Sequence, residues 1–174
     1  GMINDMVSTL LYNKEQVQVV TVGFARTASA TYPQYRILAA ANSGITTAEG
    51  LKGVEIGISE GSVIAYTTDR LLQAEGLTPD DIKTVAVPRI PDRLALLGSG
   101  ELKAATLPDP LASLAIAGGA VVITDDTKHP EYGYSLYSFS AKFIADHPDA
   151  VKGFLAAVHQ AVAEINADKS QWAG

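Results

Sequence analysis

The sequence predicts an α/β fold in three layers, with helices on both faces of a mostly parallel sheet. Two observations carry this. Short apolar runs alternate with helical segments between residues 54 and 123, and strand–helix alternation at that spacing makes βαβ crossovers. The runs themselves, 54–58 (VEIGI), 84–88 (TVAVP) and 120–124 (AVVIT), are apolar almost throughout, as a sheet covered on both faces requires.

The elements follow in order. Residues 3–12 read as a helix with Met6, Leu10 and Leu11 on one side, and 17–22 and 36–40 read as strands. Strand 54–58 passes through the turn Ser59-Glu60-Gly61-Ser62 into a helix over 63–75, with Gly76 where a helix-ending glycine belongs. Thr78-Pro79-Asp80-Asp81 has the form of a capped helical turn. Strand 82–87 precedes a short helix over 91–97, closed by Gly98-Ser99-Gly100. Strand 103–107 leads to Asp109-Pro110, an N-cap and first-turn proline that open a helix to 117. Gly118-Gly119 ends it before strand 120–123. Strand 134–139 follows. Pro148 opens the last long helix, whose Val151, Phe154, Leu155, Val158, Val162 and Ile165 step by three or four along one stripe. A central block, residues 50–123, is thus bracketed by flanks that form a second layer. One strand on each side of the block is placed to cross between two lobes.

Composition narrows the function. A chain of 174 residues with 47% hydrophobic and 18% charged residues folds around a real core and is not disordered. Its net charge of -6 and lack of a basic run argue against nucleic acid as a partner. The 13 basic residues still suffice for one local anion pocket. With no cysteine there is no disulfide, thiol nucleophile or cysteine-held metal; the compartment stays open. No apolar run reaches the ~20 residues that span a bilayer. Gly1-Met2-Ile3-Asn4-Asp5 is no signal peptide. Gly1 reads as a cleavage scar, and an export signal, if used, is expected upstream.

Little here suggests catalysis. His129, His147 and His159 lack metal-ligand spacing, and no metal or cofactor is expected. Gly57-Ile58-Ser59-Glu60-Gly61 has G-x-S-x-G order, but no histidine with an acid partner completes a triad around Ser59. The same turn suits binding. It puts unpaired N–H groups and the positive end of a helix dipole at a strand's carboxyl end; Gly61 lets backbone approach a ligand, and Ser62 adds a hydroxyl. Plain helix capping explains it equally well. There is no Walker lysine and no G-x-G-x-x-G, against nucleotides. Two further loops, Pro88-Arg89-Ile90-Pro91-Asp92-Arg93 and Pro108-Asp109-Pro110, belong at the same sheet edge, where open α/β sheets bind ligands. Arg89 or Arg93 is a candidate partner for an anion; the competing assignment is two solvated arginines, with Asp109 a helix cap. Tyr132-Gly133-Tyr134 and Tyr137 line a cleft mouth or pack in the interior.

Several segments resemble a known family. Residues 51–62 (LKGVEIGISEGS), 74–82 (AEGLTPDDI), 94–105 (LALLGSGELKAA), Leu107-Pro108-Asp109-Pro110 and 143–155 (FIADHPDAVKGFL) are similar, in order and spacing, to type II periplasmic solute-binding proteins of ABC transporters. The group is the nitrate/sulfonate/taurine type, which also takes in binders of thiamine-pyrimidine precursors. The resemblance implies two α/β lobes joined by hinge strands, a small solute in the cleft, hinge closure and docking on an ABC permease. It implies a partial lobe over 1–40, a complete lobe over 41–133 and a return to the first lobe over 134–174, the rest of the first lobe lying before Asn4. Carried over residue by residue, Glu60, Gly61, Ser62 and Val63 form the ligand loop, helped by Arg89, Asp92 and Asp109. Asn4 and Asp5 stand at the first lobe's rim, and Tyr134 at the cleft mouth. The implied protein is periplasmic or lipid-anchored, takes a sulfonate, a nitrate-like anion or a pyrimidine, and does no chemistry. The incomplete lobe implies a homodimer. Two alternatives remain: the effector-sensing domain of a transcription regulator, and a pyrimidine-biosynthesis enzyme, whose cysteine-rich motif this chain lacks.

Overall fold

A computed structural model describes residues 2–172, with side chains from residue 5 onward. Two sheets organise it. Five strands, β3 (Tyr35–Ala39), β4 (Glu55–Ile58), β5 (Lys83–Ala86), β6 (Ala104–Pro108) and β7 (Val121–Asp125), lie in the order β5-β4-β6-β3-β7. Three more, β1 (Met2–Asp5), β2 (Val19–Thr27) and β8 (Tyr134–Ser140), lie in the order β1-β8-β2.

The large sheet is the middle of three layers. Successive side chains on a strand face opposite ways, and β3 shows it. Ile37 packs with Ile56, Val63, Leu71 and Leu72 on the side of α2 (Val63–Ala74). Leu38 packs with Leu97, Leu107, Ala112 and Ala115 on the side of α3 (Ile90–Ser99) and α4 (Leu111–Ala117). The helix ends follow local chemistry. Ser62 caps α2 by accepting the Ile64 N–H, and Gly100 ends α3 at φ 78°, where a side chain would be strained.

The sheet is mostly parallel, with one strand reversed. β4 pairs in parallel with β5 and β6, but β3 runs antiparallel between β6 and β7. The strand assigned to the partial lobe over 1–40 is therefore an inner strand of the large sheet. Ile37, Leu38 and Ala39 are fully buried, which only a strand covered on both faces and both edges achieves. β8 does cross over, and pairs antiparallel with β1 and β2.

Two local expectations change. Residues 2–5 are strand, and the first helix, α1 (Met6–Lys14), starts later because Asp5 caps it through the Ser8 N–H. Thr78-Pro79-Asp80-Asp81 forms the expected brief turn: the Asp81 N–H donates to the Thr78 carbonyl at 3.0 Å, and the Asp81 carboxylate accepts the Thr78 N–H and hydroxyl. Helix α4 begins at Leu111 with Pro110 in the cap position. A short α5 (Ala141–Asp146), capped by Ser140, precedes the long α6 (Pro148–Ala167). Phe154 of α6 meets Tyr137 and Phe139 of β8 edge-on, so the small sheet carries its own helical cover.

Candidate functional site

The carboxyl ends of β4, β5 and β6 share one edge of the large sheet. Strand β4 ends at Ile58, and the turn 59–62 leads into α2. Ser62 Oγ accepts the Ile64 N–H at 3.2 Å and donates to the Ser59 carbonyl at 2.7 Å. Gly61 sits at φ 64°, so its main chain is bare and exposed. Two of the sequence loops are joined here, because Ser59 Oγ donates to the Pro88 carbonyl at 3.1 Å. That bond hands the Ser59 proton to a main-chain oxygen, not to a base, the reverse of what an activated nucleophile needs.

Arg93 of α3 braces this edge. It is fully buried, which overturns its assignment as a solvated arginine. Its stem crosses Gly57, where a Cβ would lie 3.5 Å from Arg93 Cγ. Nη1 donates to the Thr106 carbonyl of β6 at 3.0 Å, and Nη2 donates to Ser59 Oγ at 3.1 Å. Burial lowers its pKa to about 10, so the guanidinium stays charged at neutral pH.

The turn faces the other sheet's helix. A Cβ at Gly61 would lie 3.8 Å from Leu11 Cδ1 of α1. The two segments that connect the sheets, 28–34 and 126–133, run beside one another. Asp126 is buried and accepts the N–H groups of Gln34 and Tyr35. Gln34 Nε2 donates to Ser135 Oγ at 2.6 Å and to the Tyr35 hydroxyl at 3.1 Å. Ser135 lies opposite Asp5 on one side and Arg26 on the other. Burial raises the pKa of Tyr35 above its ordinary value, against the opposing hydrogen bond with Ser135.

The expected site residues do not form one cluster. Glu60, Gly61 and Ser62 line the turn; Val63 turns into the core at 2% exposure, which leaves only its main chain at the loop. Arg89 and Asp92 form an exposed ion pair at 3.7 Å with side chains 76% and 50% accessible. Asp109 stands with Arg36 in an ion pair of 2.5 Å and takes an Arg26 bond on its carbonyl at 3.1 Å. Its carboxylate also accepts the Ser113 N–H and hydroxyl, so it serves α4 from one residue further out than a standard cap. Asp5 caps α1. Tyr134 rests against Phe24 with ring centroids 5.3 Å apart. Asn4 lies in β1, and its side chain is outside the described residues. Arg26, Gln34, Tyr35, Arg36, Asp126 and Ser135 were not anticipated. All border the two connecting segments, and position beside those segments was the only signal available.

An apolar hollow of about 220 Å³ between α3 and α4, lined by Leu94, Leu97, Leu114 and Ala115, opens at the other end of the sheet, near Ala41 beyond β3. Among the described residues, no cluster of histidines or carboxylates is placed to hold a metal, and no helix is long and apolar enough to cross a membrane.

The sequence matches the NMT1-like family over residues 9–172. The chain belongs to that family. No curated protein matches it. Solved structures do. The alkanesulfonate-binding protein SsuA from Xanthomonas axonopodis pv. citri, bound to MOPS, superposes with a TM-score of 0.78 at 21% identity, over 95% of this chain and 56% of that one. The periplasmic aliphatic sulphonate binding protein SsuA from Escherichia coli gives 0.74 at 26% identity, over 95% and 52%. The desulfurization enzyme DSZB gives 0.63 at 19% identity, over 86% and 57%. This NMT1-like chain has the type II periplasmic-binding-protein fold and spans about half the length of those chains.

Proposed function

We propose that this NMT1-like chain is a solute-binding unit of an ABC-type importer. It takes a small organic or anionic solute, a sulfonate, a nitrate-like anion or a pyrimidine, between the turn 59–62 and α1, and performs no chemistry on it. The observation that carries this is the meeting, at the exposed main chain of Gly61, of the turn that opens α2 on one sheet with a helix from the other. Such a junction binds small ligands through main-chain donors and closes by motion about the connecting segments. The names of the two SsuA structures support it. Binding is favoured over the enzymatic alternative by the Ser59 hydroxyl, whose proton goes to a carbonyl.

The partners follow from that role: an ABC permease on the membrane and a periplasmic or lipid-anchored location. A second copy of the chain covers the outer edge of β1 and the exposed apolar residues of α6. Thermal unfolding with ethanesulfonate, nitrate or a pyrimidine tests the binding. A bound ligand at about 100 times its Kd adds about 2.7 kcal/mol and raises the melting temperature by several degrees. No shift with any of the three overturns the proposal.

A further inference from the structure

The charge of Arg93 is not needed for anything else the fold does with it. The side chain is fully buried, and among the described residues no carboxylate forms an ion pair with it. Its two bonded nitrogens meet neutral oxygens, the Thr106 carbonyl and the Ser59 hydroxyl, and Nε has no partner. A neutral amide or hydroxyl would staple those strands as well without the desolvation of a cation. A buried, uncompensated charge is costly, and it persists where a site uses it.

Its position indicates the use. The guanidinium lies at the carboxyl ends of β4 and β6, and Nη2 points into the turn that opens α2. The α2 dipole adds positive potential at the same place. The stem of the side chain lies in contact with Gly57, and Gly61 leaves its own main chain exposed. The surface arginine of this edge, Arg89, is exposed and paired with Asp92, so water and a carboxylate screen it.

We propose that Arg93 is the specificity-determining charge of the turn 59–62, which therefore takes a small anion, such as a sulfonate or nitrate, in preference to a neutral pyrimidine. This rests on the solute-binding function above. Arg93 acts through Ser59 and through its field, without touching the solute.

Calorimetric titration with sodium ethanesulfonate, sodium nitrate and uracil tests it on the wild type, Arg93→Gln, Arg93→Lys and Ser59→Ala. The wild type binds one of the anions more tightly than uracil. R93Q loses about tenfold or more in anion affinity and leaves uracil binding unchanged. R93K, which keeps the charge, retains most of the anion affinity; a purely structural staple would make the two variants alike. If R93Q does not fold, R93K and S59A decide: folded R93K that loses anion binding as fully as a charge deletion overturns the proposal. Equal anion affinity in R93Q and wild type overturns it too. Wild type that binds only uracil overturns the Arg93 proposal and leaves solute binding standing, whereas no binding of any probe overturns both.

Discussion

Asp126 Oδ1 accepts the main-chain N–H of Gln34 at 2.8 Å across 92 positions of sequence, and that of Tyr35 at 3.2 Å. One carboxylate oxygen thus fastens the two segments that join the sheets. Asp126→Ala leaves two buried N–H groups without an acceptor, at about 1–3 kcal/mol each. Urea unfolding should show a loss of about 3 kcal/mol, with a smaller loss for Asp126→Asn, which keeps an amide oxygen. An unchanged urea midpoint in D126A would remove the fastening from the account of the hinge.

The same carboxyl has a defined pH signature. Burial raises its pKa, more than the Tyr35 and Gln34 N–H groups lower it. The folded protein therefore holds this proton at pH values where the unfolded chain, near 3.9, has lost it. Between the unfolded and the raised folded value the native state binds more protons, so this contribution to stability falls as pH rises. Wild type should gain on Asp126→Asn as pH is lowered from 7 towards 4. Their difference in melting temperature reads it directly, since all other carboxylates cancel.

Asp109 behaves in the opposite sense. Burial alone would raise its pKa, but the Ser113 hydroxyl and Arg36 together bring it below the ordinary carboxylate value. Its contribution is present above the unfolded value of about 3.9 and is lost as pH falls through the lower folded value. Asp109→Asn should cost about 1 kcal/mol at pH 7, because the pair is partly open to water, and the cost should vanish in strong acid. A pH-independent cost would show that neither the Ser113 bonds nor the Arg36 pair favours the ionised carboxylate.

The parts legible in the sequence are those with local causes. Ser62 before α2 and Gly100 after α3 mark their helix ends within a few residues, so the order β4-α2-β5-α3-β6 could be read from 54 to 108. The placement of β3 has no local cause. Ile37, Leu38 and Ala39 read the same whether they run with or against β6, and their partners lie nearly 70 residues on. The burial of Arg93 has a similarly distant cause: its guanidinium bonds the Thr106 carbonyl and the Ser59 hydroxyl, 13 and 34 positions away. Asp126 carries no local signal, because the amides it accepts are more than 90 positions upstream.

The outer edge of β1 and the stripe on α6 predict self-association. Only Val151 of α6 is buried, while Phe154, Val162 and Ile165 remain exposed, and among the described residues β1 has a ladder partner on one side alone. Open edges and apolar patches of this kind draw partners. Sedimentation velocity should show a dimer whose fraction grows with concentration, and Val162→Asp should reduce it. A monomer at every concentration would remove the second copy from the proposal.

Two glycines of the same sheet edge should separate fold from function. A Cβ at Gly57 would come within 2.4 Å of Leu102 Cδ2, while the Arg93 stem at 3.5 Å stays in ordinary contact. Gly57→Ala must therefore shift the packed Leu102 side chain, at about 1–3 kcal/mol, and should lower stability while anion affinity is kept. A Cβ at Gly61 meets nothing nearer than Leu11 Cδ1 at 3.8 Å, so packing does not resist it. The cost there is the φ of 64°, about 1 kcal/mol for a residue with a side chain. The strain is relieved by turning the peptide that presents its N–H groups to the solute. Gly61→Ala should leave urea unfolding nearly unchanged while anion affinity falls several-fold. A Gly61→Ala protein that binds as well as wild type would show that the solute does not use this turn.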